Sequence, residues 1–199
     1  MLTGLTESNI KNVLDNQFND EFWMEYRTGN ILNESDLDFI VHQANCFHAM
    51  NGGIALALSE KWPIVDEVDR KQSIYGDPDK LGTFTIATVE HPVKLNGIIT
   101  NKEIKVVNLY SQYHPGRAEN EMEKEKSLYY IKIGLTDLRD NILELAYSSI
   151  IKDRKYFIGI PWMIGCGIYG MNVNDVYETI REVFYGFEDV IKIVFVDFK

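Results

Sequence analysis

Hydrophobic positions along this chain fall into short apolar runs separated by stretches with helical spacing. The runs at residues 38–43, 104–110, 156–160 and 191–198 have the length and composition of buried strands. The run at 104–110 is nearly uninterrupted and predicts a central strand. Residues 83–89 alternate apolar and polar, and 22–27 do so well enough to form a first strand that Gly29-Asn30 breaks. Residues 53–62 are rich in Ala and Leu and suit a helix, and Pro63 opens a second helical piece carrying Val65, Val68 and Asp69. From about Asn120 to Ser148, Leu128, Ile131, Leu135, Leu138, Ile142 and Leu145 share one stripe of a long helix, with Gly134 as a candidate break. Residues 174–185 form a last helix with Val176, Ile180, Val183 and Phe184 inward. Thr6-Glu7-Ser8 caps a short helix with Ile10, Val13, Leu14 and Phe18, so residues 1–20 read as an N-terminal helical extension. Turns are expected at residues 76–79, at Asn96-Gly97 and at Asn101-Lys102, the last two flanking a small hairpin strand.

Strands alternating with helices imply an α/β layered domain. Neither a repeat nor a linker interrupts the pattern, so residues 1–199 read as a single domain. In such sheets, ligands sit beyond the carboxyl ends of the strands. Here those ends carry Gly29-Asn30-Ile31 and the loops at 42–53, 111–117 and 161–170, the polar or glycine-rich connections of the chain.

Charge narrows the partners. A net charge of −10 argues against non-specific nucleic-acid binding, where phosphate neutralisation dominates affinity. It leaves room for an anionic small ligand, because backbone amides bind phosphate without Lys or Arg. Cys46 and Cys166 lie far apart and form no disulfide framework, and no His, Cys or carboxylate set has metal-ligand spacing. No cofactor is implied. No apolar run approaches the length of a membrane span and no secretory signal is visible, so a cytoplasmic protein is expected.

Two segments concentrate the chemistry. The first runs from a strand through His42, Asn45, His48 and Asn51 to Gly52-Gly53-Ile54-Ala55, where a helix begins. The first amides of a helix lack intrahelical partners and its dipole favours negative charge there, so this unit suits a phosphate or pyrophosphate. The second is Gly165-Cys166-Gly167-Ile168-Tyr169-Gly170, whose glycines leave amides free to wrap a pyrophosphate. Neither segment has the dinucleotide fingerprint or the Gly-Lys-Ser/Thr of a P-loop, which excludes nucleoside triphosphatases of that kind.

With Gly29-Asn30-Ile31-Leu32, residues 41–58, residues 109–116 and residues 160–170 in this order, the chain resembles a macrodomain from about Tyr26 onward. His42-x-x-Asn45, Gly52-Gly53-Ile54-Ala55, Trp62-Pro63 and Leu81-Gly82 resemble the yeast-type ADP-ribose-1″-phosphate phosphatases and related phage macrodomains. The resemblance implies a three-layer α/β/α fold with a mixed, mostly parallel sheet. It implies adenine contacts at Asn30 and Ile31, with Phe198 as an alternative stacking or structural residue. It places the distal ribose at Asn45 and under Tyr169, one phosphate loop at Gly52, Gly53 and Ile54, and the second at Gly165, Cys166, Gly167, Ile168, Tyr169 and Gly170. Ala55 stands where many ADP-ribosyl hydrolases carry Asp, and Gln112 and Tyr169 stand where another branch carries Lys and Asp. The expected reaction is hydrolysis of ADP-ribose 1″-phosphate, with His42 as acid or base and Asn45 orienting the sugar. His42 bonded within the strand-end turn is the structural alternative, and His114 is the second catalytic candidate. The functional alternatives are an ADP-ribose reader without catalysis and an ADP-ribosyl hydrolase acting on modified protein or nucleic acid.

Overall fold

A computed structural model describes residues 22–95, 97–149 and 154–198. The expected helix within residues 1–20 lies outside the described residues.

The strands are β1 (Met24–Thr28), β2 (Phe39–Asn45), β3 (Phe84–Leu95), β4 (Ile98–Gln112), β5 (Tyr156–Pro161) and β6 (Ile191–Asp197). The helices are α1 (Gly53–Lys61), α2 (Ile64–Gln72), α3 (Glu121–Ser148) and α4 (Val173–Phe184). One six-stranded sheet has the order β1-β6-β5-β2-β4-β3, parallel throughout except for the antiparallel β3–β4 hairpin. Helices α3 and α4 cover one face, packing Ile131, Leu135, Leu138, Ile142 and Ile180 on Val41, Val107, Leu109 and Ile158. On the other face α1 and α2 bring Leu58 and Val65, with Trp62 between the helices, against Ile40, Ala87, Ile104 and Val106. The result is the three-layer α/β/α arrangement with a mixed, mostly parallel sheet that was expected.

Three expectations need correction. Asn101 and Lys102 are not a turn. They pair with Pro92 and His91 inside one long hairpin. A two-residue Asn-containing signal is overridden when both flanking runs continue the same ladder. Gly134 does not break α3, which runs unbroken through it. A Cβ there would collide with the Leu109 side chain and approach the Gly82 carbonyl at 3.1 Å, so this glycine lets the helix lie close on the sheet. Leu145, expected in the buried stripe, is 44% exposed and lines an open cavity with Phe39, Ile86 and Lys105 of the sheet.

Candidate functional site

Because β2, β4 and β5 are mutually parallel, their carboxyl ends meet at one edge of the sheet. At that edge the β2–β4 register slips between Ala44, opposite Tyr110, and Asn45, opposite Gln112. Such bulges re-aim a side chain. Asn45 lines a cleft of about 390 Å³ that opens there, within the usual size range of small-molecule sites. Its Oδ1 accepts the amides of Phe47 at 3.0 Å and Ala49 at 3.2 Å, and its Nδ2 donates to the Ala49 carbonyl at 2.9 Å. An amide nitrogen carries two protons, so one donor remains for the cleft.

Glycine loops form the two walls. Helix α1 begins at Gly53, with φ of +55°, and Gly52 in the capping position supplies no side-chain acceptor. The first amides of α1 are thus left for a ligand. Across the cleft, the loop after β5 folds through Ile164 N to Pro161 O, Cys166 N to Met163 O and Met171 N to Gly165 O, each at 2.9–3.0 Å. Gly165 has φ of +69°, a conformation that favours glycine, and a Cβ there would displace the Met171 methyl. The amides of Gly167, Ile168, Tyr169 and Gly170 have no protein acceptor among the described residues. Ile168, 64% exposed, reaches across so far that a Cβ on Gly52 would lie 3.6 Å from its Cδ1. Two loops with amides unused by the protein therefore line one cleft, and Ile168 reaches over it.

Of the residues singled out from the sequence, Asn45, Gly52, Gly53, Ile54, Gly165, Gly167, Ile168 and Tyr169 line this cleft together. Cys166 lies behind the loop, with its thiol donating to the Ile164 carbonyl and burial pushing its pKa up to about 12. Gly170, with φ of +87°, ends the loop. Tyr169 turns its hydroxyl away, donating to the Glu123 carbonyl at 3.3 Å, and burial together with Glu123 pushes its pKa up to about 12. Asn30 and Ile31 do not line the cleft. Asn30 caps a short turn by accepting the Leu32 amide at 3.0 Å, and Ile31 is buried. They stand where the Gly29 amide bonds the Asp197 carbonyl, next to the exposed Phe198.

His42 is not brought to the cleft. It alternates with Ile40 and Ala44 onto the face covered by α1 and α2, and none of it is exposed. Its Nε2 lies 2.6 Å from Asn108 Oδ1 and its Nδ1 lies 3.1 Å from the Gln43 carbonyl. Burial pushes its pKa below the ordinary value, against the pull of those two oxygens. The ring belongs to a buried polar layer. Asn108 donates to Thr85 Oγ1 at 3.0 Å and to the Val65 carbonyl at 3.2 Å. Tyr110 donates to Asp69 at 2.6 Å, with burial and Asp69 raising its pKa. Lys80 sits over the Tyr110 ring, 3.5 Å from Asp69, and donates to the Cys46 carbonyl at 3.3 Å. His48, at φ of +53°, places Nε2 2.9 Å from Ser73 Oγ and 3.7 Å from Asp69. This layer anchors the loop that connects Asn45 to Gly52.

Sequence reasoning passed over Asp69, Lys80 and Asn108 as parts of this support. It also passed over Gln43, which lines the cleft and donates to Ser111 at 2.9 Å and Ser127 at 3.1 Å. The available signal was parity, since Gln43 shares a face with Phe39 and Val41 whereas His42 does not. Among the described residues no group of His, Cys, Asp and Glu is placed to hold a metal, and no helix is long and apolar enough to cross a membrane.

No family model matches the chain. Over 77 residues, 39% of its length, it is 32% identical to an uncharacterised 17.5 kDa protein from the tk-vs intergenic region of Enterobacteria phage T4. That match spans 44% of the phage protein, less than half its length. Among solved structures, the macrodomain of Mycobacterium tuberculosis DarG superposes with a TM-score of 0.56 at 21% identity, covering 87% of this chain and 96% of that one. Thermosipho africanus DarTG, solved in complex with ADP-ribose, superposes with a TM-score of 0.56 at 14% identity, covering 88% of this chain and 42% of that one. The fold of this chain is that of a macrodomain.

Proposed function

We propose that the cleft binds ADP-ribose, or a molecule that ends in it. The observation that carries this reading is the pair of amide-rich loops facing one gap, the α1 start at Gly52-Gly53-Ile54 and the turn at Gly165–Gly170. Two linked phosphates need donors from both sides, and a helix start opposite a nest of amides supplies them without a cation. The remaining proton of Asn45 then meets the distal ribose, and adenine lies toward Asn30, Ile31 and Phe198. The likeness to a structure solved with ADP-ribose supports the choice of ligand.

Binding is favoured over hydrolysis through His42. The polar side chains lining the cleft are Gln43, Asn45, Asn51, Gln112 and Tyr169. None of these exchanges a proton near neutral pH. Hydrolysis of ADP-ribose 1″-phosphate is the second reading, and one observation favours it. His114 is exposed on the loop after β4, stacked on Phe47 at 4.9 Å, and lines a cavity adjoining the cleft.

Calorimetric titration with ADP-ribose, against AMP and ribose 5-phosphate as controls, tests the first reading. Micromolar affinity, about −8 kcal/mol, with far weaker controls is the expected result, and no heat from ADP-ribose overturns it. Phosphate release from the 1″-ester that survives in His42→Gln and is lost in His114→Gln selects the second reading.

A further inference from the structure

We infer that Gln43 is a ligand-binding residue that directs its carboxamide Nε2 at the pyrophosphate, with its Oε1 held from behind by Ser111 and Ser127. The inference rests on the ADP-ribose reading above. It adds a side-chain donor to two walls otherwise made of backbone amides.

The hydrogen bonds of three side chains carry it. In the structure Gln43 Nε2 uses both protons, on Ser111 Oγ at 2.9 Å and on Ser127 Oγ at 3.1 Å. Both serines are 1% exposed, and neither hydroxyl proton has an acceptor among the described residues. Gln43 Oε1 has no donor among the described residues, and Gln43 lines the cleft. A Cβ at Gly165 would lie 3.3 Å from Oε1 and from Nε2 alike, so both ends of the carboxamide stand equally close to the turn that opens the second loop.

This orientation opposes an anion. Two buried hydroxyl protons are left unmatched while an acceptor borders a cleft whose other walls are donors. Rotation by 180° about the last side-chain bond exchanges the oxygen and the nitrogen, and a serine hydroxyl either accepts or donates. After the rotation Ser111 and Ser127 both donate to Oε1, and Nε2 directs two protons at the cleft. No hydrogen bond is lost and both serine protons gain an acceptor. A phosphate oxygen only accepts, so it matches the rotated carboxamide and not the original one, and bonds to an ionised oxygen are the stronger kind. Asn51 and Gln112 also line the cleft, but no side-chain hydrogen bond holds either among the described residues. Gln43 is held in place before the ligand arrives, so less side-chain freedom is lost on binding.

The first test follows the side-chain amide signals of Gln43 in the full chain labelled with nitrogen-15, assigned by their loss in Gln43→Met, during titration with ADP-ribose. A downfield shift of at least one Nε2 proton is expected, and signals that stay in place overturn the inference. Calorimetry then separates donor from acceptor. Gln43→Met, similar in length but without a donor, should bind ADP-ribose about tenfold more weakly. Gln43→Glu still accepts both serine protons but sets a carboxylate oxygen against the phosphates, and should bind more weakly still. Gln43→Met matching the unaltered protein, or Gln43→Glu binding as well as Gln43→Met, overturns the role of Gln43 and leaves the ADP-ribose reading standing. Thermal midpoints report whether each variant is folded, and where one is not, the amide signals of the unaltered protein decide. Failure of the unaltered protein to bind ADP-ribose overturns the two together.

Discussion

The two faces of the sheet are built from different chemistry. Under α3 and α4 the contact is mainly apolar, with Val107, Leu109, Ile131, Leu135, Leu138 and Ile142 all fully buried, and turns polar only at the cleft edge, where Gln43 meets Ser111 and Ser127. Under α2 the carboxyl-terminal half of the sheet carries His42, Thr85, Asn108 and Tyr110, which bond to one another or to Asp69 and the Val65 carbonyl. Apolar packing stabilises in proportion to area and tolerates exchanges that keep volume. A buried polar layer is directional, because each donor must find its acceptor in a low-dielectric setting. The polar face is the one beneath residues 45–52, where a loop must hold one shape to present the amides of α1. Positional accuracy is therefore concentrated on one side of the sheet, and bulk stability on the other.

Substitutions on the two sides should separate these roles. Asp69→Asn leaves Lys80 buried without its counter-charge. It should cost about 3–5 kcal/mol in urea denaturation and weaken ADP-ribose binding in the molecules that remain folded. Unchanged affinity in a destabilised Asp69→Asn protein would separate the polar layer from the loop. Next in size, Asn45→Ala removes the acceptor for Phe47 and Ala49 and the donor facing the cleft. A loss of about 1–3 kcal/mol in ADP-ribose affinity is expected by calorimetry.

Acid should act through the polar face. Burial holds the pKa of His42 below the ordinary value of about 6.5. The unfolded chain takes up this proton first as pH falls, so the contribution to stability is complete above about 6.5 and is lost below it. His48, also pushed down by burial although Asp69 pulls the other way, adds in the same direction. The slope per histidine is at most about 1.4 kcal/mol per pH unit. Urea midpoints at pH values on either side of that window should fall with acid, and fall less in His42→Asn. Equal falls in both proteins would remove His42 from the effect. The smallest change is expected on the apolar side, where Leu135→Met should cost less than about 1.5 kcal/mol and leave ADP-ribose affinity unaltered.

Much of this arrangement is legible in one dimension. The apolar runs name the strands of the sheet, and Gly52-Gly53 and residues 165–170 stand out as glycine-rich connections between a strand and a helix. Local chemistry decides those features, since a glycine at positive φ or an uncapped helix start is a property of a few neighbouring residues. The expected ligand-binding residues that line the cleft come from segments of this kind.

What the sequence determined by itself is therefore the set of elements, their order and the loops able to hold phosphate. The tertiary structure decided which way each polar residue faces. His42 and Gln43 are adjacent and both polar, yet the strand pleat sends one into the layer beneath α2 and the other to the cleft. Lys80, by type a surface residue, is 6% exposed because Asp69, Tyr110 and the Cys46 carbonyl converge on it from α2, β4 and the loop after β2. The β2 bulge that re-aims Asn45 exists only in the pairing with β4. Burial and pairing are properties of contacts between distant segments, and a linear pattern records the residues but not which of them meet.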